Sequence, residues 1–489
     1  MKFQIFKDGK LVDNFDLRGA YMFGTDGIAI RKAEITSKKG IIDCQKPNAE
    51  AGGLALLWSI DGFGEILLPT TCLPERDNPY ILNVEIARAK LMQIMNKRED
   101  WSFFGNIGEL SKDADEAQNL FIQAVKKISD PVEASKLADG ALKKAIVFSE
   151  QLAVKQAQTL FNTRGRSKGF GRGCLGCRIN PKLVNNPQYV KGITDIFGYV
   201  TIPINWSEIE PAKGEYNFSE LDACIAILLK RKLALGAGPL LCFSKDTLPS
   251  WLLEFDNFGK IRDAAYTFVS EVVSRYSSHI RVWNVVKGLN VFNHFGFSFE
   301  QVLEMTRASC MAVRSNSDRS LKIIEICDLW GEYYANTQDT IPPLVYMDMV
   351  VQSGINFDSF GLQMHFGADQ QGMHMRDMMQ ISALLDQFAP MAIPISLTNV
   401  EVPSLPCDPD QSHCGGIWHN MWNETLQAKW IEQFYKIALS KPFVDTVTYS
   451  NFTDTKNTPI IASGLLTEQL KPKKSFEVFK KLHNLVFGK

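Results

Sequence analysis

The chain has 489 residues, enough for two or three domains and a large core. Its 45% hydrophobic and 22% charged residues are ordinary for a globular protein, and a formal net charge of −1 removes the electrostatic case for nucleic acid or an anionic membrane surface. So small a net charge also offers little repulsion between copies, which makes self-association easier.

The first residues, Met1 to Lys10, carry no apolar signal region, and no run of 18 or more apolar residues suggests a membrane span, so a cytoplasmic location is expected. The ten cysteines are scattered, and only Cys174 and Cys177 form a CxxC. They read as reduced, mostly buried thiols, and neither a metal nor a cofactor is expected.

Residues 1–82 read as a β-rich, sandwich-like domain. Phe3–Phe6 leads into an Asp8-Gly9 turn and Leu11-Val12 continues, which is hairpin chemistry. Short apolar runs follow at 27–30, 40–44, 54–60 and 65–69. Over 83–161 the period becomes helical: Val84, Ala87, Leu91 and Ile94, then Ala117, Leu120, Phe121 and Ala124. A third helix starts with Asp130 as N-cap, Pro131 at N1 and Glu133 at N3, and carries a stripe from Leu137 to Leu152. This helical connector packs on its neighbours or serves as an oligomerisation arm. Residues 162–173, rich in Gly and Arg, read as a flexible linker rather than an anion-binding loop.

From 174 to 489, strand-like and helix-like segments alternate eight times. The strands are expected at 174–179, 198–204, 233–241, 280–286, 321–326, 358–363, 393–398 and 446–451. Helices such as 219–231, 261–277, 299–315, 375–388 and 424–440 lie between them. Eight parallel βα units predict a (β/α)8 TIM barrel, an α/β fold whose chemistry sits at the C-terminal ends of the strands.

Those ends carry recognisable residues. Trp283-Asn284-Val285-Val286-Lys287-Gly288 closes strand four, and Leu397-Thr398-Asn399-Val400-Glu401 closes strand seven. Trp206, Glu210, Pro211, Gly214 and Phe218 follow strand two, and Gly361-Leu362-Gln363-Met364-His365 forms strand six. Together they resemble family 10 glycoside hydrolases, the endo-1,4-β-xylanases, over roughly residues 170–489. The resemblance equates the first two runs with the WDxxNE and ITELD signatures, each of which supplies one catalytic glutamate. Here the matching positions are Gly288 and Asn399. A retaining glycosidase needs two carboxyls about 5–5.5 Å apart, and this chain lacks both. No Asp or Glu occurs from Arg281 through Phe299, and Lys287, with an ordinary pKa of about 10.4, is a weak proton donor. Glu401 lies on the same strand face as Asn399, about 6–7 Å further along. It is read as a supporting residue, with a displaced nucleophile as the alternative and an ion pair with Lys287 as a further expectation. The family's sugar contacts are also missing at Ile202, Asn205, Pro239, Ser244 and Ser450. Trp206, Gln363, His365 and Lys287 remain as ligand-binding candidates, although Gln363 and His365 read equally as a retained hydrogen-bond pair.

The sequence therefore predicts a catalytically inactive, xylanase-like barrel with a structural or assembly role as a homo-oligomer or larger assembly. A dead carbohydrate-binding protein for β-1,4-linked oligosaccharides is the alternative, carried by Gln363, His365 and the tryptophans 418, 422 and 430, although helix and loop packing is the commoner reading of those tryptophans. The third reading is an active glycanase with displaced groups. Cys407, His413, Cys414 and His419 are read as a structural loop rather than a zinc site.

Overall fold

The computed structural model describes every residue except 102–110, 168, 232, 407–413, 457 and 489. Two four-stranded sheets form the N-terminal region. The first runs Glu34–Lys38, Ile41–Gln45, Lys2–Gln4, Tyr80–Ile81, and the second runs Ile417–Trp418, Gly64–Pro69, Gly53–Ile60, Tyr21–Phe23. Asp8 and Gly9 both take positive φ, as a two-residue hairpin turn requires, and join Phe6–Lys7 to Lys10–Leu11. The run at 27–30 is not a strand: Ala29 makes only an isolated bridge to Phe23. The second sheet takes its edge strand, Ile417–Trp418, from the far end of the chain, so the β region and the barrel share a sheet.

Three helices follow: Leu82–Asp100, Ser111–Lys126 and Pro131–Ser167. Asp130 caps the third, its carboxylate accepting from the Glu133 amide at 3.2 Å. This 37-residue helix, about 55 Å long, is fastened to the barrel at its middle and near its C-terminal end. Glu150 accepts from Trp418 Nε1 at 2.8 Å, His419 Nε2 at 2.7 Å and the Met378 amide at 3.1 Å. Arg164 Nη1 donates to the carbonyls of Leu439, Lys441 and Val444 at 2.8–3.0 Å. The linker expectation for 162–173 is therefore corrected: residues 162–167 are the last turns of this helix. Local glycine content argued for a loop, and three tertiary hydrogen bonds from Arg164 hold the helix instead. A further tie is the buried Lys90–Asp377 ion pair at 2.9 Å, and leaving either partner alone would cost about 3–5 kcal/mol.

Eight parallel strands close into a barrel: Leu175–Arg178, Tyr199–Ile202, Ala234–Ala237, Val282–Lys287, Leu321–Ile326, Ser359–His365, Ile395–Glu401 and Val444–Tyr449. They are numbered one to eight below. Strand three pairs with both two and four, which completes the ring. Each strand is followed by a helix, the longest being Phe258–Tyr276, Phe299–Asn316 and Glu424–Ser440. Their starts are written locally. Ser298 with Gln301 and Asp377 with Gln380 form reciprocal capping boxes, and Asn423 caps the helix after strand seven. Among the described residues no helix is long and apolar enough to cross a membrane.

Candidate functional site

Parallel strands present every second residue to the barrel interior, and the upturned ends of strands one, four, five, six and seven bring their polar side chains together. Asn284 on strand four and Asn399 on strand seven both donate their side-chain amides to Glu325 of strand five. The Asn399 contact is 2.8 Å, and Asn284 takes the other carboxylate oxygen. Glu325 is completely buried. Neither Glu325 nor Asn284 figures among the residues expected from sequence. The available signal was the lone acid in the apolar run Leu321-Lys322-Ile323-Ile324-Glu325-Ile326, which only the register of the strand assigns to the interior.

Gly288 sits one residue past strand four with φ +61°, in the left-handed region. A Cβ there would lie 2.6 Å from Phe292 and 2.9 Å from the Cys327 sulfur. The site is thus filled by its neighbours, and a longer side chain has no room. Lys287 points into the mouth cavity. Burial works against its charge, but Glu325 and the Cys327 thiol hold its pKa above the ordinary lysine value.

Glu401 is 3% exposed. One carboxylate oxygen accepts from Asn451 Nδ2 at 2.6 Å and also from the Ser463 hydroxyl, and the other lies 3.6 Å from His365 Nε2. Burial raises its pKa against the pull of Ser463, Asn451, Arg178 and Lys287. The expected Lys287–Glu401 ion pair does not form, because Asn451 and Ser463 have engaged Glu401 and Lys287 feels Glu325 more strongly. Gln363 and His365 do lie together. Gln363 Nε2 meets His365 Nδ1 at 3.1 Å, and Gln363 Oε1 receives the Cys327 thiol at 3.1 Å. With Nδ1 accepting, the imidazole carries its proton on Nε2, towards Ser450 and Glu401. Burial, then Lys287 and Arg178, push the His365 pKa down to about 3, so the ring is neutral at neutral pH.

Trp206 is 3% exposed and donates from Nε1 to Glu210 at 2.7 Å, while its ring stacks on Phe268 at 4.8 Å. Glu210 also receives the Gly214 amide at 2.8 Å. The run after strand two is therefore a hydrogen-bonded clamp, with only an edge of Trp206 reaching the cavity. That cavity, about 380 Å³, opens over strands one to four and is lined by Arg178, Lys182, Asn205, Trp206, Pro239 and Lys287, among others. A second hollow of about 320 Å³ lies at the opposite end of the barrel, and Arg178 and Pro239 border both.

Trp418, Trp422 and Trp430 are packing residues, the commoner of the two readings, and not a sugar platform: all three are at most 2% exposed. Trp418 is committed to the shared sheet and to Glu150, and Trp430 stacks on Phe434 at 4.6 Å. Of the loop considered for zinc, Cys407 and His413 lie outside the described residues. Among the described residues no group of three or more His, Cys, Asp or Glu is placed to hold a metal. Cys174 and Cys177 are buried thiols, and burial raises the pKa of both.

Residues 167–299 match the family model described as Glycosyl hydrolase family 10. The chain is 21% identical over 277 residues to an endo-1,4-beta-xylanase 5-like protein of Arabidopsis thaliana, covering 55% of this chain and 44% of that protein. It is 25% identical over 207 residues to endo-1,4-beta-xylanase 3 of Hypocrea jecorina, covering 40% and 57% respectively. The chain thus spans about half the length of these curated relatives. Among solved structures, it is similar to a GH10 protein from Paenibacillus barcinonensis, with a TM-score of 0.51 and 15% identity over 65% of this chain and 97% of the other. It is also similar to xylanase 10B from Thermotoga petrophila in complex with xylobiose, with a TM-score of 0.50 and 16% identity over 67% and 97%. At these identities the structural likeness establishes the fold, a (β/α)8 barrel of the family 10 type.

Proposed function

Starting from a barrel of the family 10 glycoside hydrolase type, we propose that this chain is a non-catalytic relative of the xylanases, with a structural or assembly role through self-association. The observation that carries the first half is the sealed position at Gly288, where a Cβ alone would overlap Phe292 and Cys327. Opposite it, Asn399 is an amide donor to a buried carboxylate, the reverse of a nucleophile's chemistry. The reading of Glu401 as a supporting residue rests on its bonds to Asn451 and Ser463.

The second half is supported by the helical connector. Met92, Met95, Ile122 and Ile128 are each 43–56% exposed, and the first three line an apolar groove of about 310 Å³. Light scattering of the full chain tests it: an oligomer that Met95→Glu with Ile122→Glu dissociates is expected, and a strict monomer at micromolar concentration sinks the assembly role. Turnover is tested with an aryl β-xylobioside, which barely needs an acid catalyst. No hydrolysis is expected, and hydrolysis that disappears in Glu401→Gln would identify a recruited nucleophile.

A second reading, a carbohydrate-binding protein, is favoured by the intact Gln363–His365 pair. It has lost the tryptophans on which it also leaned. Absence of affinity for xylo-oligosaccharides by calorimetry would remove it.

A further inference from the structure

Three cations line the mouth cavity, the exposed Lys182 at its rim and two on the barrel strands, and no protein acceptor takes up the donors of those two. Arg178 ends strand one and Lys287 ends strand four, and both line the cavity. Among the described residues, neither side chain donates a hydrogen bond or forms an ion pair. They act through longer-range fields, on each other, on His365, on Glu325 and Glu401, and Lys287 also on Asp328. These carboxylates offset the cations in charge, so the region is not a bare positive hole. Both oxygens of Glu325 are committed elsewhere, to Asn284 and Asn399, and one oxygen of Glu401 to Asn451 and Ser463, while its other faces His365 Nε2 at 3.6 Å. The interior has thus been wired so that neutral amides and a hydroxyl serve the anions, while a guanidinium fork with five donors and an ammonium with three face open space.

We infer that the mouth is a binding site for a small molecule carrying one carboxylate or phosphate group, gripped by Arg178 and Lys287. Planar guanidinium donors match a carboxylate or phosphate edge in a two-point contact, and the lysine adds a point charge from the neighbouring quadrant of the barrel. The cavity volume, about 380 Å³, is that of a compact metabolite-sized ligand. Pro203, Ile204, Pro239 and Leu240 give it apolar walls, which suit the ring or chain behind the anionic head. Glu208 and Glu220, also on the lining, repel a second negative group, so the charge is confined to one end of the ligand. The inference stands apart from the assembly role, since neither requires the other.

Calorimetric titration of the full chain with D-glucuronate, glucose 6-phosphate and neutral glucose tests it. At least one anionic probe is expected to bind about tenfold or more tightly than glucose, and the stronger of the two identifies the head group. Arg178→Gln and Lys287→Gln should each weaken that probe by about tenfold or more. Lys480→Gln, the same charge change on the exposed terminal helix, should leave it unaltered. Arg178→Lys keeps the charge without the fork and should bind at an intermediate level, which guards against misfolding of the glutamine variant. The inference is overturned if neither anion binds by about 10 mM, if glucose binds equally well, or if both glutamine variants retain full affinity.

Discussion

The ends of strands four and seven lie across the barrel from each other, and the two positions that the resemblance equates with catalytic glutamates, Gly288 and Asn399, differ in kind. On strand four the position has been closed: Gly288 is left-handed and the Phe292 ring and Cys327 sulfur occupy the space a side chain would need. On strand seven the position is still filled and still hydrogen-bonded, but with its polarity inverted, Asn399 donating where a carboxylate would accept. Steric closure is a packing change and resists reversal. Inverted polarity is an electrostatic change and depends on proton occupancy. The two sides should therefore answer differently to mutation and to pH.

The largest effect is expected on the closed side. Gly288→Glu must move Phe292 and adopt an unfavourable φ, and it should lower stability by about 3–4 kcal/mol without restoring hydrolysis. A urea midpoint equal to wild type would show the closure to be soft. On the polar side, His365 is held neutral with a pKa near 3 against an unfolded value of about 6.5. The folded state then binds fewer protons, so stability is complete above about pH 6.5 and falls as the pH drops, by about 3 kcal/mol at pH 4. Denaturation at the two pH values, with His365→Gln flattening the difference, checks this.

Asn399→Asp sets a second carboxylate against Glu325, and the pair must share a proton. The folded pKa rises, so the variant should approach wild-type stability near pH 4 and lose about 2 kcal/mol as the pH climbs to 7. A pH-independent deficit would mean that packing rather than charge is at fault. The smallest effect belongs to Glu401→Gln. Its amide oxygen can still accept from Asn451 and Ser463, so a change within about 1 kcal/mol is expected. Because burial raises the Glu401 pKa, the wild type gives up stability as the pH rises past about 4.5, and the variant should lack that slope.

The barrel was readable because each strand is a short apolar run with a helix behind it, and all eight fall where periodicity puts them to within a few residues. Gly288 and Asn399 stood out only against the pattern that the resemblance supplies. Glu325 and Asn284 did not stand out, since an inward polar residue in mid-strand is told from an outward one only by register. Arg164 shows the same limit in another form: its segment looks like a linker, and the carbonyls that keep it helical lie 275–280 residues away. The tryptophans of 418–430 look like a sugar platform in one dimension, yet Trp418 and Trp430 pack inside the molecule.

The strand Ile417–Trp418 that completes the second N-terminal sheet has a consequence for biosynthesis. Its neighbour Cys414 receives Arg18 across a separation of 396 residues. While the ribosome works through the barrel at about 5–20 residues per second, the edge of Gly64–Pro69 waits some tens of seconds for its partner. Through that interval a nascent chain presents an open apolar strand to its surroundings, and the last third of translation is what closes it.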